Sequence, residues 1–248
     1  TIRVKSIISG TIADFRTEYP HVGKFAFVLV GSSGRGEMCY KSDIDYLIVH
    51  DGSLSKRDKD LLVGRISGAL LNAGFNILST FAIGDKNFIV NCGKYSLIER
   101  LVLDDISFVA GDNALYEDLK KDIALSFGKP TQDELDATIL NLLFIYRRFS
   151  GFPKFDSREP NIKQGRGGVR EIQNFIQIAK IRYGVKASDL VEIIDKMAEM
   201  DAISKIEAKS FKDASKFIFA VRNEMHRIEG KENDMLTQEL QKEIAKAY

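Results

Sequence analysis

The sequence is poor in cysteine and histidine, carries no surplus of either charge and contains no long apolar run. Its two cysteines, Cys39 and Cys92, have neither metal-ligand spacing nor the density of a disulfide framework, so a reducing, cytoplasmic setting is expected. The three histidines, His21, His50 and His226, are scattered, and His226 on a mixed helical face reads as a packing or hydrogen-bonded residue. A net charge of +1 gives no general basic field for nucleic acid, although local basic clusters remain available for a triphosphate. No stretch is long and apolar enough to span a bilayer, and no signal-peptide pattern opens the chain. No internal repeat or low-complexity tract is found. Thr1 in place of methionine leads us to expect a processed or excised piece. What is present is the composition of an ordinary globular protein, 44% hydrophobic and 29% charged over 248 residues, enough for two domains.

The most informative stretch runs from Gly31 to Val49, GSSGRGEMCYKSDIDYLIV. It follows Phe25 to Val30, a short run of aromatic and β-branched residues suited to a strand buried on both faces. Gly31 lets a bulky anion approach the backbone, and Ser32 offers a hydroxyl where the chain turns into a short helix whose free N–H groups favour phosphate. Arg35 and Glu37 are expected on that helix, with Arg35 a nucleotide-binding candidate. A second apolar strand then opens with Asp43-Ile44-Asp45. Residues two apart on a strand share a side, so Asp43 and Asp45 present neighbouring carboxylates while Ile44 turns into apolar packing. Two such carboxylates repel unless a cation lies between them, and hard oxygen ligands suit Mg²⁺ together with substrate phosphates. Structural roles for these residues, as turn caps and loop glycines, are the competing reading.

Residues 1 to 20 show helical spacing of Ile2, Val4, Ile7, Ile8, Ile12 and Phe15, broken by Pro20 and Gly23. A helix is expected over Ser53 to Ala73, capped by Ser53 or Ser55, then strands over Phe75 to Ile83 and Asn87 to Asn91. Residues 95 to 125 read as two helices with a break at Phe108 to Asp112. Asp85 is the candidate third carboxylate, in a Gly-Asp-Lys phrase that fits a tight turn equally well; Glu99, Asp104 and Asp105 are weaker candidates. The composition changes at Gly128-Lys129-Pro130, which sets the expected boundary between residues 1–128 and a helical region over 129–248. Helices are expected over Leu135 to Phe149, 171 to 184, 188 to 200 and Phe211 to Glu229.

A second informative stretch, PNIKQGRGGVREIQ from Pro160 to Gln173, interrupts the helical region with three glycines, flanked by Lys163, Arg166 and Arg170. Backbone amides and cations of such a loop can close over phosphates; the alternative is a helix-connecting turn with solvated charges.

Glycine-serine, a ten-residue spacer and Asp-x-Asp on an apolar strand resembles the signature of the nucleotidyltransferase superfamily with the DNA polymerase β type of catalytic domain. That resemblance implies a nucleotide triphosphate held by Gly31 and Ser32 and two Mg²⁺ ions bound by Asp43 and Asp45, with a third carboxylate from a later strand. With PNIKQGRGGVREIQ and RNEMHRIEGKENDMLTQELQKEIA, most of the chain resembles the uridylyltransferase part of the bacterial PII-protein uridylyltransferases. The implied fold is α+β: a polymerase β-like domain with a mixed sheet, then an all-helical domain carrying the basic glycine-rich loop. The implied reaction is transfer of UMP from UTP to a tyrosine hydroxyl of the signalling protein PII, under control by glutamine. The hydrolase domain of that family needs histidine and aspartate clusters; His50-Asp51 has no partner histidines nearby, so uridylyl removal is not expected here. Residues 75 to 105 follow the family poorly. Glutamine-synthetase adenylyltransferases, which use ATP, share Gly165 to Ile172, and nucleotidyltransferases joined to cyclic-nucleotide or CBS modules share the opening residues. A regulatory nucleotide-binding module without catalysis and a helical scaffold that recruits PII are rivals from other classes.

Overall fold

The computed structural model describes residues 1–75, 78–84, 97–126, 130–149 and 158–246. The chain divides into two compact units, one formed by Thr1–Met38 and Ser42–Pro130, the other by Cys39–Lys41 and Thr131–Tyr248.

The first unit is built on a sheet of four strands among the described residues, in the order β3-β2-β1-β4. β1 (Phe25–Leu29) lies antiparallel to β2 (Ile44–His50), with Leu29 opposite Tyr46 and Phe25 opposite His50. β2 runs parallel to β3 (Leu78–Gly84), and β4 (Ser107–Gly111) is antiparallel to β1. Every residue of β1 is buried, as its unbroken apolar run requires of a central strand covered on both faces. On one face Phe25, Phe27, Leu29, Ile44, Tyr46 and Ile48 pack with α1 (Ile2–Glu18) and α3 (Lys56–Asn72). α1 meets them with Val4, Ile8, Ile12 and Phe15, one stripe at helical spacing, and α3 with Leu62, Ile66 and Leu70. Full burial of each such side chain contributes roughly 1.5–3 kcal/mol. The opposite face, Val28, Val30, Leu47 and Val49, packs against Leu103 of α4 (Leu97–Asp104) and Leu119 and Ile123 of α5 (Asn113–Ser126). Ser55 caps α3 by accepting the Asp58 N–H. Lys5 Nζ donates to Ser107 Oγ, tying α1 to β4.

One expectation is corrected here. Phe108 to Asp112 was expected to be a break between helices, but Ser107–Gly111 is strand β4, at one edge of the sheet among the described residues. Ala26 pairs with Gly111, and the Asp112 N–H donates to the Phe25 carbonyl at 2.8 Å. The expected strand Asn87 to Asn91 lies outside the described residues.

In the second unit the described elements are α6 (Gln132–Phe149), α7 (Val169–Tyr183), α8 (Leu190–Glu199), α9 (Lys205–Glu229) and α10 (Gln238–Ala245), with one isolated antiparallel bridge, Asn161 with Met235. Ile172, Ile176 and Ala179 of α7 pack with Val185 and with Ile193 and Met197 of α8. Ile162, Val221, Met225, Leu240 and Ile244 form a second cluster. α9 starts six residues before the expected Phe211, because Ser204 accepts the Glu207 N–H while the Glu207 carboxylate accepts the Ser204 N–H.

Candidate active site

In the first unit the chain leaves β1 through Val30, whose backbone is extended, and enters α2 (Gly31–Gly34) at Gly31, whose φ of +55° suits glycine. Gly34 is required for a different reason: a Cβ there would lie 1.8 Å from the Asp105 carbonyl oxygen. Two hydrogen bonds lock this turn to the start of β2. The Val30 N–H donates to the Asp45 carbonyl at 3.1 Å, and the Asp45 N–H donates to Ser33 Oγ, also at 3.1 Å. Both backbone groups of Asp45 are therefore fixed by the small-residue turn. The Ser32 carbonyl accepts from the Glu37 N–H at 3.0 Å, while its half-buried hydroxyl has no hydrogen-bond partner among the described residues. Asp43 is exposed and its carboxylate has no partner among the described residues; Asp45 is half-buried, and Ile44 between them is fully buried on the α1/α3 side. Strand alternation puts Asp45 on the face shared with Leu47 and Val49, whereas Asp43, expected to open the strand beside it, precedes the first residue of β2.

Ser33, rather than Ser32, is the residue that joins turn to acid, and it is fully buried. Two adjacent serines look alike in sequence; only the direction of the first helical turn separates them.

Arg35 has a different place from the one expected. Its Nε and Nη2 donate to the two oxygens of Glu37 at 2.9 and 2.8 Å, and Nη1 donates to Asp105 Oδ2 at 2.5 Å. All three side chains are almost fully covered. Burial alone would lower the Arg35 pKa, but the hydrogen bonds and charges of Glu37 and Asp105 outweigh it and raise the value. The guanidinium thus braces the turn against the loop after α4, and Asp105 is spent as its partner. Glu99 has no described side chain, Asp104 is exposed, and Asp85 lies outside the described residues. Among the described residues no three His, Cys, Asp or Glu side chains converge on a metal-sized site. Asp43 and Asp45 are hard oxygen donors of the kind that bind Mg²⁺ as one or two carboxylates completed by phosphate and water.

The glycine-rich loop of the second unit is tightly folded on itself. Asn161 Oδ1 accepts from the N–H groups of Lys163 and Gln164 at 3.0 and 2.7 Å, and the Gly165 N–H donates to the Asn161 carbonyl at 2.7 Å. Gly168, Val169 and Arg170 donate to the carbonyls of Gly165, Ile162 and Lys163, and Gly167 donates to the Glu171 carboxylate. A Cβ at Gly165 would meet the Asn161 oxygen at 2.4 Å. The glycines serve close backbone approach, and these amides are already taken. An anion at this loop would be met by side chains instead.

Of the three expected cations, Lys163 donates to Glu232 at 2.8 Å and lies 3.7 Å from Asp234. Those acids also receive Arg222, through Nη2 to Glu232 at 2.8 Å and Nε to Asp234 at 2.7 Å. Burial would raise the Asp234 pKa, but the neighbouring His226 imidazole, the hydrogen bond from Arg222 and the charges of Arg222 and Lys163 bring it down to about 2. Arg166 is exposed. Arg170 is half-buried and donates to Gln173 Oε1 at 2.9 Å; burial and the neighbouring Arg222 charge lower its pKa, with Asp234 opposing. No carboxylate lies within ion-pair distance of Arg170 among the described residues.

Known proteins resemble both regions. Residues 4–78 match the sequence model of nucleotidyltransferase family DUF294, and residues 153–248 match that of the GlnD PII-uridylyltransferases. Similar relatives include the bifunctional uridylyltransferase/uridylyl-removing enzymes of Erythrobacter litoralis, 28% identical over 90% of this chain, and of Caulobacter vibrioides, 29% identical over 95%. That of a Bradyrhizobium strain is 26% identical over 93%. The chain spans about a quarter of the length of these relatives, 23% or 24%. The stretch that carries the glycine-serine turn and the paired acids is thus similar to a nucleotidyltransferase family, and the stretch that carries the basic loop is similar to the bacterial PII-uridylyltransferases.

Proposed function

We propose that this chain transfers a nucleoside monophosphate, UMP in the first instance, from the triphosphate to a hydroxyl of a protein acceptor of the PII type, with Mg²⁺ bound at Asp43 and Asp45. The fold in this reading is a polymerase β-like catalytic domain followed by a helical domain. The observation that carries the proposal is the double lock between turn and acid strand, Val30 N–H on the Asp45 carbonyl and Asp45 N–H on Ser33. It holds the glycine-serine turn and the second carboxylate as one rigid piece, which is what a site for a metal-bound triphosphate needs.

In this mechanism the Gly31 backbone and the Ser32 hydroxyl hold terminal phosphate oxygens of the nucleotide. Asp43, exposed and without a competing partner among the described residues, and Asp45, half-buried, supply the oxygen donors. When bound, Mg²⁺ supplies charge neutralisation for the leaving pyrophosphate and acidifies the attacking hydroxyl. Within the glycine-rich loop, Arg170 is the first candidate to meet an anionic group and exposed Arg166 the second.

The test is a screen of the four labelled nucleoside triphosphates against the purified chain and PII-type acceptors, read by protein labelling and pyrophosphate release. UTP labelling is expected, lost by at least about a thousandfold in Asp43→Ala with folding unchanged, since the side chain is exposed. Labelling from ATP alone would support the adenylyltransferase reading, and magnesium-dependent nucleotide binding without transfer would support a non-catalytic regulatory module. Near-normal transfer by Asp43→Ala would overturn the mechanism.

A further inference from the structure

Arg35, Glu37 and Asp105 all belong to the first unit, as does the glycine-serine turn, and the ion cluster they form reaches that turn through its backbone. The Arg35 N–H donates to the Gly31 carbonyl at 2.9 Å, and the Glu37 N–H donates to the Ser32 carbonyl at 3.0 Å. The carbonyls that fix how Gly31 and Ser32 stand are therefore held by the same two residues that share the guanidinium. Asp105 closes the arrangement from the other side. Its carboxylate takes Arg35 Nη1 at 2.5 Å, and its backbone carbonyl lies against Gly34, where a Cβ has no room. Val102, three residues earlier on α4, lies 3.5 Å from where a Cβ of Gly31 would stand.

Stability alone gives such a cluster little advantage. Its side chains are only 6%, 6% and 3% exposed, and buried ion pairs are often matched or bettered by apolar side chains of similar size. What apolar packing does not provide is direction. A planar guanidinium that gives Nε and Nη2 to Glu37 and Nη1 to Asp105 fixes the orientation of residues 35 and 37 relative to the loop after α4. We infer that Arg35 and Asp105 are positioning residues for nucleotide binding, acting through the Arg35 and Glu37 amides to aim Gly31 and Ser32 at the terminal phosphates. This rests on the function proposed above. Asp45 keeps its own tie to the Val30 N–H, which lies outside the cluster, so the turn is affected more than the acid.

The experiment compares Asp105→Leu, which removes the acceptor of Arg35 Nη1, with Asp105→Asn, which keeps an acceptor oxygen, in the whole chain. It measures kcat and nucleotide KM for labelled transfer to a PII-type acceptor, with urea unfolding on the same preparations. Asp105→Leu should raise KM about tenfold and lower kcat by less than about threefold, because contacts to the terminal phosphates act in ground state and transition state alike. Asp105→Asn should stay within about threefold of wild type in KM. A leucine variant that is less stable yet has a KM within about twofold of wild type overturns the inference, since the cluster would then only brace the fold. An equal rise of KM in both variants also overturns it, because the oxygen at position 105 would be irrelevant. Should Asp105→Leu fail to fold, Arg35→Lys decides: it keeps the charge and loses the three-point fork, so a tenfold rise in KM is expected and an unchanged KM refutes the idea. If the wild-type chain transfers nothing from any triphosphate, the proposed function has failed before a variant is compared, and this inference fails with it.

Discussion

Asp234→Asn is the substitution whose cost the structure defines most closely. The Asp234 carboxylate takes Arg222 Nε at 2.7 Å, lies 3.7 Å from Lys163 Nζ and 3.9 Å from His226 Nε2, and is 15% exposed. Its pKa falls from 3.8 to about 2, a stabilisation of the charged form of roughly 2 kcal/mol, which solvent screening reduces to about 1–2 kcal/mol. Arg222 retains Glu232, so the substitution does not reach the roughly 3–5 kcal/mol of a buried charge left wholly alone. A net loss of about 2 kcal/mol is expected, to which the new amide contributes by turning N–H groups toward cations. The sign with pH follows from a carboxylate whose folded value is depressed: its stabilisation is complete above the unfolded pKa near 3.8 and disappears as pH falls through about 2. Urea unfolding followed by circular dichroism at several pH values reads this directly. The gap between wild type and variant should be constant from pH 7 to pH 5 and shrink between pH 4 and pH 2. A gap below about 0.5 kcal/mol at pH 7, or one that does not change on acidification, would refute the electrostatic account.

Two further substitutions separate binding from bracing. Ser33→Ala removes the acceptor of the Asp45 N–H in a fully buried position, so it should cost about 1–3 kcal/mol in unfolding free energy and lower transfer activity by about tenfold, measured on the same preparation. Arg170→Met should raise the nucleotide KM by about tenfold without lowering stability, since burial and Arg222 already disfavour its charge; Lys163→Met should do the reverse, losing up to about 1 kcal/mol of stability with KM little changed. Equal KM effects from the two would show that ion pairing does not decide which cation meets the nucleotide.

Much of the first unit is legible in sequence because its signals are local. The β1 run, the alternation that separates Ile44 from Asp43 and Asp45, the stripe on α1 and the Ser55 cap each lie within a few residues of what they determine. β4 was not legible: five residues between two helices are too few for a period to register, and Ser107–Gly111 becomes a strand only because β1 presents an edge to it. The start of α9 could have been read, since Ser204 and Glu207 have capping-box spacing, yet the apolar pattern drew attention to Phe211 instead. Arg35 shows the harder limit. Its nearness to the glycine-serine pair suggested a phosphate ligand, but its role is fixed by Asp105, seventy positions away. The same holds for Cys39–Lys41, whose partners Arg222, Asn223 and His226 are about 185 residues distant and give no local sign of the contact.

These cases share a rule for reading cations beside glycine-rich motifs. A phosphate gains from a guanidinium or ammonium only what that group does not already give to a carboxylate. For Lys163 to take a phosphate oxygen, Glu232 and Asp234 must lose part of their neutralisation, and for Arg35 to do so Glu37 and Asp105 must be left as buried, unpaired anions. The latter exchange costs several kcal/mol before any binding is counted. Among the described residues Arg170 faces no such exchange. Its charge is disfavoured by burial and by Arg222, with Gln173 its hydrogen-bond partner, so an incoming anion relieves an existing penalty. Sequence places all three cations next to glycines with equal weight; the carboxylates around them divide two that brace the fold from one suited to receive a ligand.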